Sequence, residues 1–263
     1  MAPDFQQKDP DIQEVADLLA DVASILMSSG AHTMRIIQNV SRMANTFGYQ
    51  MDLSVFQLSM MMTITGTDDQ SQRVTLIKKT KPLFLNFTIV SELSALSWDT
   101  FDKKLTFNEA KDTYQEIISK KRTSNSLVLF LVSCANAAFC GLFHGDFYAI
   151  GLVFFATLIG LFARQKMIGK NVNHLIAFTA SAFIASLIAG LAYVFNLGTT
   201  PDIAIGSSVL FLIPGVPLIN SILDIIQGHV LTGTARLVNA CSLIVCIAIG
   251  LFGSMLILGL EKL

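Results

Sequence analysis

The sequence predicts an α-helical membrane protein in which a soluble N-terminal α+β domain, residues 1–122, precedes a membrane domain with five transmembrane helices, residues 123–263. Of the 263 residues 52% are apolar, yet only nine Lys, Arg, Asp or Glu residues follow position 122, too few for the surface of a soluble domain. Five apolar segments of membrane length occupy this second part. The fourth contains a Pro-Gly-Val-Pro sequence that a continuous helix cannot absorb.

The N-terminal part combines helical and strand patterns. Apolar residues recur at helical spacing in the first segment, and Gly30 follows at a natural helix end. From Tyr49 onward polar and apolar residues alternate, and the phase shifts at Phe56, which indicates one long strand with a bulge or two strands. The predicted elements are helices over 11–28, 32–46, 84–98 and 107–121, and strands over 49–65 and 73–79.

The membrane part divides into five spans. Each has about 17–26 residues, close to the ~20 that a helix needs to cross ~30 Å of hydrocarbon. The spans are predicted near 124–143, 147–163, 172–195, 203–223 and 233–258.

Basic residues predict the orientation, because Lys and Arg favour the cytoplasmic side of spans. The loops 144–146 and 196–202 carry no Lys or Arg. Lys262 is the only basic residue expected on the same side of the membrane as these loops. We therefore expect a cytoplasmic N-terminal domain and a C-terminus outside, in the inner membrane. Asp4 and Asp9 precede any apolar run, so we expect no signal peptide. The basic residues at the other span ends are Lys120, Lys121, Arg122, Arg164, Lys166, Lys170 and Arg236.

The break in the fourth span is the candidate binding site. Pro214 removes the helical donor for the carbonyl of Leu210, and Pro217 removes the donor for Ile213. Such breaks persist in membranes where protein or a watery cavity covers them, and they commonly mark transporter sites. We expect Pro217, after Gly215, to open a half-helix whose free N–H groups attract a carboxylate, and the freed carbonyls to accept a cation or ammonium group.

Polar side chains extend this candidate site. Asn220 and Asp224 are four residues apart and share one face of the half-helix. Asp224 and Arg236 lie at facing ends of spans four and five, where they form either an ion pair that holds the hairpin or a gating or substrate-binding pair. Asn136 is a mid-span amide that needs partners, and we include it among the candidate binding residues.

A short motif in the soluble domain, Gly30-Ala-His32-Thr33-Met-Arg35, stands between two predicted helices. A hydroxyl near a helix start can cap it. The motif is therefore either a cap by Thr33 with a surface arginine, or a contact to the membrane domain or to an anion.

Other classes of function have little support. The four cysteines form no C-x-x-C pair, and His144 with Asp146 fits a turn better than a metal site. We expect no metal, no cofactor and no catalytic residue. A net charge of -1 carries no nucleic-acid signature. Two alternatives stay open: a non-transporting regulatory or scaffold subunit, and a membrane-anchored enzyme that uses His32 and Thr33.

The motif at 30–35, followed by Ile213-Pro-Gly-Val-Pro-Leu218, Asn220, Asp224, Gly228, Gly233 and Arg236, resembles the threonine/serine exporter family, and most closely its short five-span form. The likeness runs from about residue 14 to 258, and 213–236 is its specific part. It implies an α-helical secondary exporter of a small carboxylate, either succinate or threonine and serine, driven by an ion gradient. It also implies a separately encoded small membrane subunit as partner, with self-association of this chain left open.

Overall fold

The computed structural model describes residues 11–69, 71–80, 83–121 and 123–260. The sequence arguments from Asp4, Asp9, Arg122 and Lys262 fall outside these residues. The chain forms two compact units, Met1–Lys121 with Val216–Leu237, and Arg122–Gly215 with Val238–Leu263. Residues 216–237 thus group with the N-terminal residues, although the sequence assigns them to the predicted membrane domain.

The first unit contains a three-stranded antiparallel sheet in the order β1-β2-β3. Its strands are β1 Tyr49–Val55, β2 Ser59–Gly66 and β3 Arg73–Lys79. Of the two arrangements open from the sequence, two separate strands are formed, and a turn closed by the Phe56 N–H to the Ser59 carbonyl at 2.9 Å joins them. This turn explains the shift in phase of the apolar pattern, because each strand keeps its own alternation.

Four helices complete the N-terminal part of this unit: α1 Ile12–Ser28, α2 Thr33–Thr46, α3 Phe87–Asp102 and α4 Phe107–Ser119. Asp11 caps α1, and Thr106 caps α4 in a capping box with Glu109. The third helix begins three residues later than predicted, because the Asn86 side chain caps it at the Ile89 N–H. Fully buried apolar side chains of α1, α2 and β2 form the core.

The second unit is a bundle of helices: α5 Asn125–Leu142, α6 Phe147–Gly169, α7 His174–Val194 and α8 Pro201–Ser208, followed by a 3₁₀ turn at Leu210–Leu212. Small residues let these helices approach closely. A Cβ on Gly160 of α6 would lie 3.1 Å from the Ser181 carbonyl oxygen and 3.1 Å from the Ala185 Cβ of α7. Close contact through small residues is typical of helices packed in membranes.

The last two helices are α9 Gly215–Ile226 and α10 Val230–Ile257. Among the described residues, four helices are long and apolar enough to cross a membrane: α5, α6, α7 and α10. The count is five if the pair of helical segments broken at 213–214, α8 with its 3₁₀ turn and α9, is one span. The chain is therefore a mostly helical protein with four or five candidate spans.

Candidate functional site

The loop between α1 and α2 requires a glycine. Gly30 adopts a φ of +101°, and the Ala31 N–H bonds the Leu26 carbonyl at 3.0 Å, which closes the end of α1. A Cβ on Gly30 would also lie 2.8 Å from the Leu85 side chain. This turn presents the Gly30 carbonyl, which accepts a hydrogen bond from Asn220 Nδ2 of α9 at 2.8 Å. The N-terminal motif and the polar face of α9 therefore meet within one unit.

The start of α2 is capped by a carboxylate that is distant in sequence. His32 occupies the N-cap position and makes no side-chain cap bond. The N–H of Thr33 instead donates to Asp224 Oδ1 at 2.8 Å. A helix N-terminus carries about half a positive charge, so a carboxylate is a stronger partner there than a hydroxyl. The expected cap by the Thr33 hydroxyl is therefore wrong.

Asp224 also pairs with Arg236. The Arg236 Nη1 donates to Asp224 Oδ2 at 2.8 Å, and the two side chains are 0% and 13% exposed. Both carboxylate oxygens thus have a donor. This agrees with the ion pair that the sequence left open, and a largely desolvated pair of this kind persists only with good geometry and further hydrogen bonds.

Two glycines shape the hairpin that brings Asp224 and Arg236 together. Gly228 has a φ of +88° in the turn, where the His229 N–H bonds the Asp224 carbonyl at 2.8 Å. A Cβ on Gly233 would lie 2.8 Å from the Ser221 carbonyl oxygen. Only glycine at 233 allows α10 to approach α9 this closely, so that the ion pair can form.

Unsatisfied polar atoms surround the ion pair. In the described part of the chain, six buried side-chain nitrogen or oxygen atoms lack a hydrogen-bond partner, and four of them lie in this loop and in the α9–α10 turn. Buried polar groups are normally hydrogen-bonded, so four exceptions within two neighbouring segments mark a polar cluster whose hydrogen-bonding capacity is not used up. The four atoms are Ser29 Oγ, His32 Nδ1, Thr33 Oγ1 and His229 Nε2.

The imidazole of His32 lies in the electrostatic field of the pair. Burial lowers the pKa of His32 below its ordinary value of 6.5, because desolvation disfavours the charged ring. The Asp224 carboxylate and a hydrogen bond with Gln227 oppose this lowering, whereas Arg35 and Arg236 add to it. His32 is therefore mainly neutral at pH 7.

The Arg35 side chain is bonded to α3 and not to the Asp224–Arg236 pair. Its Nε donates to Ser94 Oγ of α3 at 3.2 Å, and Asn39 Nδ2 donates to the same hydroxyl at 3.0 Å. Arg35 thus fastens α2 to α3. The structure brings Gly30, His32 and Thr33 to the Asp224 pair and leaves Arg35 outside it.

The break itself differs from the expectation in two respects. The second half-helix begins at Gly215, two residues before Pro217, because the first turn of a helix has no internal acceptor for its N–H groups and tolerates proline. The carbonyls expected to be free are bonded. The Ile213 N–H bonds the Leu210 carbonyl at 3.1 Å, and the Gly215 N–H bonds the Ile213 carbonyl at 2.9 Å. A 3₁₀ turn and a tighter turn around the buried Pro214 therefore replace the lost donors, and the expectation that these carbonyls lack a donor is wrong.

Asn136 lies in the second unit with partners of its own. Its side chain is 3% exposed, and Nδ2 donates to Thr157 Oγ1 of α6 at 2.7 Å and to the Ser207 carbonyl of α8 at 3.1 Å. The amide therefore links three helices near the end of α8. Sequence reasoning identified Asn136 but did not predict its partners, the Thr157 hydroxyl and the Ser207 carbonyl, because helical spacing within one span does not show which neighbour faces it.

Comparisons with known proteins identify related chains. A family model described as "Putative threonine/serine exporter" matches residues 17–258. The "Probable succinate transporter subunit YjjP" of Klebsiella aerogenes is 28% identical over 94% of this chain and 95% of its own length. The Escherichia coli K12 protein of the same name is 28% identical over 94% of this chain and 96% of its length. A "Probable threonine/serine exporter" of Mycobacterium tuberculosis is 21% identical over 92% of this chain but only 46% of its own length. No solved structure matches.

Proposed function

Because the family model covers nearly the whole chain, the protein belongs to the threonine/serine exporter family, and we propose that it is one subunit of a secondary transporter that exports a small carboxylate across the inner membrane. The N-terminal unit faces the cytoplasm in this proposal, and the C-terminus lies outside. The distribution of Lys and Arg along the sequence supports this orientation.

The observation that carries the proposal is the carboxylate of Asp224, held between Arg236 and the N-terminus of α2. Arg236 Nη1 and the Thr33 N–H approach it at 2.8 Å each. These donors suit any carboxylate, including that of a substrate. The unsatisfied polar atoms beside the pair support a site that also accommodates a polar molecule.

We further propose that Asp224, Asn220 and Arg236 change partners during transport. In the present arrangement Asn220 is bonded to the Gly30 carbonyl and Asp224 to Arg236. If the 30–33 loop withdraws from α9, these groups become free to bind a substrate carboxylate and, at Asp224, a coupling proton. A two-state element of this kind is what a secondary transporter requires, because each state must expose a different set of contacts.

The substrate is a succinate-like dicarboxylate, with threonine or serine as the other class within the family. The names of the two 28%-identical relatives support succinate and also support a subunit role. The Mycobacterium tuberculosis relative is more than twice as long as its matched part, which supports a separately encoded small membrane protein as the missing half. Self-association of this chain is compatible with the proposal.

A non-transporting scaffold or regulatory subunit is the second candidate. The observation that favours it is that Asp224, Asn220 and Arg236 already have protein partners, as structural groups would. In that case all transport would reside in the other subunit.

Reconstitution separates the two candidates. This chain alone, the proposed small membrane subunit alone, and both together are placed in proteoliposomes loaded with labelled succinate, and efflux is measured under a proton gradient. We expect efflux only with both, and a loss of at least about tenfold for Asp224→Asn and Asn220→Ala when equal amounts of folded protein are reconstituted. The matched controls are Asp202→Asn and Asn239→Ala, which change exposed residues of the same types. Normal efflux by both site variants, or full activity of the partner alone, would rule the proposal out.

A further inference from the structure

The proposed site leaves one partly buried cation unexplained. Arg164 lies in the last two turns of α6, and its Nε is fully enclosed. Across the residues that the structure describes, this nitrogen has no hydrogen-bond partner, and Arg164 belongs to none of the ion pairs. A buried N–H is normally hydrogen-bonded, so a polar partner for the Arg164 side chain is expected.

An aromatic ring holds this guanidinium in place. The Arg164 Cζ lies 4.2 Å from the centroid of the Phe178 ring, and Phe178 is 5% exposed in the core that also contains Leu212. The His174 ring packs on the same phenyl group at 4.6 Å between centroids. The ring contact places the guanidinium over the phenyl group, and only Nε among its nitrogens is an enclosed atom without a partner, so the terminal N–H groups are the donors available to a ligand.

Within residues 123–215 and 238–260, the described part of the second unit, no side-chain carboxylate lies close enough to pair with Arg164. The two acidic residues there are Asp146 and Asp202. Asp146 caps the opposite end of α6 at the Ala149 N–H, about 27 Å away along the helix. Asp202 lies near that end as well, because the Asp146 N–H donates to the hydroxyl of the neighbouring Thr200.

The end of α6 that carries Arg164 is uniformly positive. Lys166 and Lys170 are exposed there, in the arrangement expected for cations at a membrane surface. Arg164 differs from them, because it is partly buried and stacked on a core ring. Surface charge therefore explains the two lysines but does not explain the buried position of Arg164.

We propose that Arg164, clamped on Phe178, is a binding residue for an oxyanion, and that its ligand is the carboxylate of a small dicarboxylate. A guanidinium binds a carboxylate through two parallel N–H···O bonds, and it binds the phosphate of an anionic lipid by the same chemistry. The identification of this carboxylate with the exported compound rests on the proposed function. The oxyanion site itself rests only on the geometry of Arg164.

Binding to the full chain tests the site with two probes. Succinate is titrated onto detergent-purified protein, and phosphatidylglycerol is compared with phosphatidylcholine for protection against thermal unfolding in nanodiscs. We expect Arg164→Gln to raise the dissociation constant for succinate about tenfold or more, because a bidentate charged contact is lost. Arg164→Lys should be intermediate, since an ammonium group cannot form the paired contact. Lys166→Gln and Lys170→Gln, which remove neighbouring exposed charges, should stay within about twofold of wild type.

Each result of the two binding experiments either supports or contradicts the oxyanion site at Arg164. Dependence of succinate binding on Arg164 supports the proposal, and Arg164→Lys preserves the test if Arg164→Gln fails to fold. Dependence of phosphatidylglycerol protection alone keeps the oxyanion site but overturns the small carboxylate as its ligand. Arg164 variants that match wild type with both probes, or a wild-type chain that binds neither, overturn the site. A chain that binds succinate through Arg164 yet supports no efflux with its partner contradicts the proposed function and leaves this inference intact.

Discussion

Asp224 and Thr33 are 191 positions apart in the chain, and the Asp224 carboxylate accepts the N–H that opens α2 at 2.8 Å. One side chain thus caps a helix of the N-terminal domain and neutralises Arg236. The short motif around Gly30 and the polar face of α9 are therefore parts of one structure. This explains why the residues that carry the family resemblance fall into two distant segments.

The Asp224–Arg236 pair should be strongly coupled. Asp224→Asn leaves the Arg236 charge nearly buried without a counter-ion, which should lower the free energy of unfolding by about 3 kcal/mol. Arg236→Gln should also destabilise, and the double variant should lose less than the sum, because no lone charge remains. Trp98, the single tryptophan, reports the unfolding of the N-terminal unit by fluorescence.

The control is the exposed pair of Asp99 and Lys103, at 3.0 Å on α3. The same cycle with Asp99→Asn and Lys103→Gln should show a coupling of about 0.5 kcal/mol or less. Additive effects in the Asp224 cycle would contradict the buried pair.

Stability should depend on pH through His32. Burial holds the pKa of His32 below 6.5, so the unfolded chain takes up the proton before the folded chain does. The contribution of the neutral ring is therefore complete above pH 6.5 and is lost as the pH falls from about 6.5 toward the lowered folded pKa. Melting temperatures measured from pH 8 to pH 5 should fall less for His32→Gln than for wild type.

His144→Asn serves as the matched histidine control. His144 is exposed, and asparagine tolerates its φ of +66°. This variant should follow the wild-type pH profile. A wild-type slope in His32→Gln would assign the acid sensitivity to other groups.

Substitution of Gly233 by a residue with a side chain should destabilise the protein. In Gly233→Ala the new Cβ would meet the Ser221 carbonyl oxygen at 2.8 Å, so α9 and α10 must separate and the ion pair must lengthen. Overpacking of this kind costs about 1–3 kcal/mol, and succinate efflux should fall with the melting temperature. Gly151→Ala in α6 meets nothing within 4 Å and should be neutral or slightly stabilising. Equal behaviour of the two variants would show that close approach at Gly233 is not required.

Asn136 should stabilise the helix bundle. Asn136→Ala removes the donor for the Thr157 hydroxyl and for the Ser207 carbonyl, both buried, and should cost about 1–3 kcal/mol. Thr157→Val should cost less, because Asn136 keeps its bond to Ser207. Thermal unfolding of purified protein measures both effects, and Asn239→Ala, an exposed asparagine on α10, should cost little. A neutral Asn136→Ala would mean that water or another group replaces the amide.

Local patterns in the sequence were sufficient to predict most of the helices and strands. Periodicity predicted α1, α2, α4 and the strands to within about two residues, because amphipathic spacing and caps such as Asp11 act over a few neighbours. The end of α6 was predicted six residues early, at 163. The apolar pattern stops there, but the helix continues through Arg164 and Lys166 to Gly169, because their long side chains are compatible with a helix at a charged boundary.

The sequence by itself determined the mixed N-terminal domain, the apolar helices, the break at Pro214 and the short list of polar residues near it, because composition, periodicity and proline chemistry are local properties. Only the tertiary structure decided which groups meet. It placed Asp224 on the Thr33 N–H and closed the Leu210 and Ile213 carbonyls with backbone donors. It also stacked Arg164 on Phe178, with no counter-ion among the residues that the structure describes. Hydrogen bonds and ion pairs between residues far apart in the sequence depend on how the helices pack. The spacing of residues along the chain does not show that packing.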